Sequence, residues 1–116
     1  IQQPEYLLEH PAKFARELLM AYISQNSLTA ILFSGSQANH FADSIERSIK
    51  QMIFEKYPEF EEDTAMNVML SFCIQGSYHA YQKNRSGDIM TVIDVIAGMT
   101  GAVRPMYEER LGESRS

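Results

Sequence analysis

Two long apolar stretches near the C-terminal end, separated by three residues, do most to limit what this chain can become. The first reads EEDTAMNVMLSFCIQGSYHAYQKN and the second DIMTVIDVIAGMTGAVRPMYEER, with only Arg85, Ser86 and Gly87 between Asn84 and Asp88. As helices, each would run for about 34 Å at the usual rise per residue. So short a connector predicts an antiparallel helical hairpin. Both stretches are apolar on more than one side. One layer of neighbours would not cover such a hairpin, and a second layer is expected.

The totals agree with one globular unit. A chain of 116 residues is long enough for a hydrophobic core, and 45% apolar with 22% charged residues is ordinary for such a domain. A net charge of −5 and scattered Lys and Arg residues argue against direct nucleic-acid binding by this segment. The single cysteine, Cys73, cannot form an internal disulfide, which predicts a reducing, cytoplasmic setting. Asp94 and Gln75 interrupt the longest apolar runs, so neither a membrane span nor a membrane partner is expected. The chain opens on Ile1 and reads as part of something longer.

Earlier segments are also helical in pattern. Pro11 suits a first helical position, and Phe14, Leu18, Leu19, Tyr22 and Ile23 recur at helical spacing until Asn26, a plausible stop. Ser27 would cap a short segment ending at Gly35, and Ser36 to Asn39 would form a polar loop. A helix from about His40 to Tyr57 carries Phe41, Ile45, Ile49, Met52 and Ile53 as one stripe. Its outer side offers Asp43–Arg47 and Glu46–Lys50 as acid-first pairs, worth roughly 0.2–0.5 kcal/mol each. Pro58 ends it, and the acidic run Glu59, Glu61, Glu62 and Asp63 falls where negative charge favours a helix start. Ser86 would cap the final helix, and Pro105 should kink it. With no strand pattern, the fold class is all-α, about five helices.

No constellation speaks for catalysis. His10, His40 and His79 form no HxxxH or Glu-x-x-His pair, so no metal site and no cofactor are expected. Cys73, between Phe72 and Ile74, reads as a small buried hydrophobe, and no nucleophile elbow or phosphate loop occurs. Met66, Met69, Met90, Met99 and Met106 crowd the terminal hairpin, as in a core or an adaptable pocket. Gly76, Gly98 and Gly101 each cost about 0.5–1 kcal/mol inside a helix. Three of them in the two most apolar helices predict close helix–helix approach, with Ala97-Gly98-x-x-Gly101-Ala102 as a small-residue seam.

In the order of its motifs the chain resembles the C-terminal regulatory domain of tetracycline-repressor-like (TetR) bacterial transcription regulators. The resemblance covers most of residues 10–110. It rests on Asn26 in AYISQNSL, the Gly-Ser loop in LFSGSQ, the Phe-led helix HFADSIERSIKQMI, and Gly76 followed by the aromatic Tyr81. It continues through Asn84 and the capped helix SGDIMTVIDVIAG. Many relatives carry Trp where Tyr81 stands, whereas this chain has no Trp.

The resemblance implies a homodimer, usually of a repressor, whose last two long helices from each subunit form a four-helix bundle. It also implies a small-molecule effector site, and DNA contact only through a helix-turn-helix domain upstream of Ile1. Such a pocket would lie between the terminal hairpin and the earlier helices, and mixed apolar and polar character on helices that should converge makes its expected lining Phe14, Tyr22, Phe41, Met69, Phe72, Gln75 and His79. The expected dimer contacts are Gly76, Ala80, Ile93, Ala97, Gly98 and Gly101. Two other readings fit the same residues: a free-standing helical adaptor that binds a partner protein through the hairpin, and a small helical enzyme, which the lack of an acid–base pair disfavours.

Overall fold

The computed structural model describes the backbone of residues 4–32 and 36–115, and side chains over 4–24 and 40–114. The described residues are helical, with no strand: α1 (Pro4–Glu9), α2 (Pro11–Leu32), α3 (Ser36–Lys56), a 3-10 turn (Pro58–Glu62), α4 (Thr64–Asn84), α5 (Ile89–Gly101) and α6 (Arg104–Arg115).

Pro11 opens α2 as its pattern predicts. The chain barely breaks there, since His10 N–H donates to the Tyr6 carbonyl at 2.8 Å and Phe14 N–H to the His10 carbonyl at 3.0 Å. The stop expected at Asn26 does not occur, and α2 runs on to Leu32. Asn in a helix interior costs only some tenths of a kcal/mol, and no Pro or Gly enforces an end before Gly35. The segment expected from Ser27 is therefore the last part of α2, and its end at Gly35 lies outside the described residues. Ser36 to Asn39, expected as a loop, form the first turn of α3.

Pro58 lies just beyond the end of α3. The 3-10 turn follows, and Asp63 caps α4 by accepting from the backbone of Ala65 (3.1 Å) and Met66 (3.4 Å). Asp88, rather than Ser86, caps α5: it accepts from Met90 N–H at 3.2 Å and from the Thr91 hydroxyl at 2.8 Å. A carboxylate one residue from the helix outcompetes a hydroxyl held in the preceding turn. Pro105 divides the last stretch. Lacking an N–H, it cannot bond the Gly101 carbonyl four residues back; the chain turns at Ala102 and Val103, and the helix restarts at Arg104, where a first-turn proline does no harm.

Two apolar clusters organise the interior. The larger joins Leu7, Leu8, Ile49, Ile53, Phe60, Met66, Leu70, Tyr107 and Leu111, so that α1, α3, α4 and α6 close around the 3-10 turn. The smaller joins Leu19, Tyr81, Ile93 and Ile96, where α2 lies against α4 and α5. Fully burying one such side chain contributes roughly 1.5–3 kcal/mol.

The outer flank is different. Val68 and Phe72 on α4, Val95 and Met99 on α5, and Met106 on α6 are exposed, Phe72 by 75% and Met99 by 69%. Counted through the bend, Ile89–Ser114 is long and apolar enough to cross a membrane, with mean hydropathy 1.3 in its best window and only 17% of that window buried. Asp94 therefore does not break the apolar run as the sequence reading supposed. The charge sits to one side, paired with Arg16 of α2 at 2.6 Å, while the apolar face looks outward.

Candidate functional site

A cavity of about 290 Å³ lies between the two clusters. Leu7, Ile49, Leu70 and Tyr107 border it from the larger cluster, Leu19 and Tyr81 from the smaller. Phe14 and Leu18 of α2 with Phe41 and Ile45 of α3 stand between this cavity and a wider groove of about 400 Å³ along α2 and α3. Among the described residues no Asp, Glu, Lys, Arg or His borders the cavity.

Aromatic rings crowd one end. Tyr22 meets Tyr81 edge-on at 5.6 Å and Phe41 at 5.3 Å between centroids, and Phe41 meets Tyr78 at 5.6 Å. The Gln82 amide donates to the Tyr22 hydroxyl at 3.1 Å and to the Tyr78 hydroxyl at 2.9 Å. Burial raises the Tyr78 pKa above its ordinary value, and its own bond to Tyr22 adds to the rise. Burial likewise raises that of Tyr81.

Elsewhere on the lining, the Ser77 and Thr100 hydroxyls are paired at 3.3 Å. Burial pushes the Cys73 thiol and the Tyr107 phenol up, so the thiol stays protonated and poorly nucleophilic. Among the described residues the polar part of the lining consists of phenols, alcohols and this protonated thiol.

Of the residues expected to line a pocket, Phe14, Tyr22 and Phe41 do so. The others do not. Met69 is buried in the larger cluster, and Phe72 points outward. Gln75 is half-buried and spans to α3, donating to Asp43 at 2.9 Å and Glu46 at 2.8 Å. His79 is exposed beside the Tyr78 ring, at 5.6 Å. The face of α4 that carries Met69, Phe72, Gln75 and His79 is not the pocket face: the cavity lies about half a turn round, at Leu70, Cys73, Ile74, Ser77, Tyr78 and Tyr81. The helical spacing of those six residues is the available signal.

The residues expected at a dimer contact divide in the same way. Ile93 and Ala97 are buried against the chain's own interior, and Ala80 packs on the smaller cluster. At Gly101 an added Cβ would lie 2.9 Å from the Ala12 Cβ, so its close approach is to α2. Gly76 and Gly98 are exposed, with open space where a side chain would stand.

A polar hinge-pin joins α3 to α4. The Ser71 hydroxyl donates to Glu46 at 2.7 Å, Lys50 bridges Glu46 at 2.9 Å and donates to Ser71 at 2.7 Å. Led by the Ser71 hydrogen bond, these contacts hold the Glu46 carboxyl down at about 2. Among the described residues no three His, Cys, Asp or Glu side chains converge as metal ligands. Comparison with protein-family models, curated proteins and solved structures returned no match.

Proposed function

We propose that the chain is the effector-sensing and dimerisation domain of a TetR-like transcription regulator, acting as a repressor, with DNA contact supplied by a domain upstream of Ile1. The observation that carries this reading is the apolar cavity bounded by α1, α2, α3, α4, α5 and α6, since such pockets are where small ligands bind. In this reading α4 and α5 form an antiparallel hairpin that two subunits assemble into a four-helix bundle. The contact face is Val68, Phe72, Gly76, Val95, Gly98 and Met99, exposed in the single chain and almost free of charge. The two glycines let the partner's backbone approach closely. The protein is cytoplasmic and does no catalysis.

Effector action is a population shift. The ligand favours the spacing of the two clusters that suits an occupied cavity, and that spacing sets the separation of the two DNA-binding domains.

The test is a thermal-shift screen of small neutral molecules paired with alkylation of Cys73, which borders the cavity. Compounds that raise Tm should also slow alkylation of this lone thiol, and Ala42→Phe, which fills the cavity from α3, should abolish both effects. Stabilisers that leave Cys73 alkylation unchanged would place binding elsewhere and refute the site.

A further inference from the structure

The lining of the cavity specifies a ligand class. Both Gln82 amide hydrogens are spent, one on Tyr22 and one on Tyr78. The Tyr22 oxygen thus accepts from Gln82, and its own proton has no acceptor among the described residues. The paired alcohols Ser77 and Thr100 differ, because a helical Ser or Thr can return its proton to a carbonyl one turn back. A phenol at the end of a ring cannot. Tyr22 therefore has a hydrogen-bond donor to offer a newcomer.

Charge and size narrow the class further. Burying an ion among apolar walls without a partner is costly, and among the described residues no charged side chain borders this space to offset it. Its volume of about 290 Å³ is near twice the ~150 Å³ that takes up benzene. The aromatic end offers edges and faces for stacking.

We infer that the cavity binds an uncharged aromatic molecule of about two fused rings, carrying one carbonyl or ether oxygen that accepts a hydrogen bond from Tyr22. This rests on the sensor reading above and gives that site its ligand chemistry.

Three probes with a common ring system test it on the intact chain. They are 6-propionyl-2-dimethylaminonaphthalene, a neutral ketone whose emission shifts blue on leaving water; 2-ethylnaphthalene, which has no acceptor; and 2-naphthoate, which is charged. The ketone should bind saturably with a blue shift, and naphthoate should bind roughly tenfold more weakly or worse. Tyr22→Phe should weaken the ketone by about 3- to 10-fold and leave 2-ethylnaphthalene within about twofold. The unchanged hydrocarbon affinity shows that the variant is folded. Naphthoate binding as tightly as the ketone would overturn the uncharged class and leave the sensor reading standing. Equal affinity of the ketone for Tyr22→Phe and the parent chain would overturn the assignment of the donor. If none of the three binds while the broader thermal screen finds cavity ligands, the class is wrong and the sensor is not.

Discussion

Gly101 stands so close to Ala12 that a Cβ on the glycine would lie 2.9 Å from the alanine Cβ, which makes this the crossing point of α2 and α5. The crossing lies beside the cavity: Pro11 and Thr100, the neighbours of the two residues, both border it. A missing side chain at one position thus sets the distance across which the two helices enclose the site.

Gly101→Ala should therefore destabilise the chain by about 1–3 kcal/mol, the usual penalty for overpacking, despite the better helix propensity of alanine. Gly76→Ala should do the opposite and gain about 0.5–1 kcal/mol, because a Cβ there meets nothing. Urea unfolding in a Phe72→Glu background, which removes any association, separates the two effects.

Asp63 divides its two oxygens between two duties. Oδ1 caps α4, and Oδ2 takes the Arg110 guanidinium at 2.8 and 2.9 Å, tying α6 to the start of α4. Asp63→Ser keeps a capping oxygen but loses the arginine and should cost about 1–2 kcal/mol. Asp63→Ala loses the cap as well and should cost about 1 kcal/mol more. Thermal unfolding of both variants beside Arg110→Ala reads the two contributions separately.

Glu46 gives the chain an acid-sensitive joint. Its carboxyl titrates at about 2, against an ordinary 4.5, mainly through the Ser71 hydrogen bond, with Lys50 and Gln75 adding to it. A depressed carboxylate stabilises the fold fully above its unfolded value, and that contribution fades as pH falls from 4.5 towards 2. Allowing for partial solvent screening, Glu46→Gln should lose about 1–2 kcal/mol at pH 7. Its stability should also change less with pH across that window than the parent's, as measured by denaturant titration at each pH.

Helical class, the α3 stripe, the start of α2 at Pro11 and the break at Pro105 were legible because each follows from local spacing or from a missing N–H. Which way each glycine faces was not. Gly98 and Gly101 lie three residues apart on one helix, yet one is open and the other meets Ala12, a residue 89 positions away. Helix ends were similarly obscured. Asn26 and Ser86 carry stop and cap chemistry, but Asn costs too little inside a helix to end α2 there, and Asp88 displaces the second. The cavity was half legible: Phe14, Tyr22 and Phe41 could be chosen as aromatic faces of converging helices, while the α4 side depended on a rotation that its apolar-all-round sequence does not fix.

Among the described residues Phe72 is the most exposed large apolar side chain, and it lies on the face proposed for the partner subunit. Sedimentation equilibrium of the chain and of its Phe72→Glu variant at micromolar concentration tests the account most directly. The expected result is a dimer for the parent and a folded monomer, with unchanged helical circular dichroism, for Phe72→Glu. A parent chain that sediments as a monomer throughout that range would contradict it.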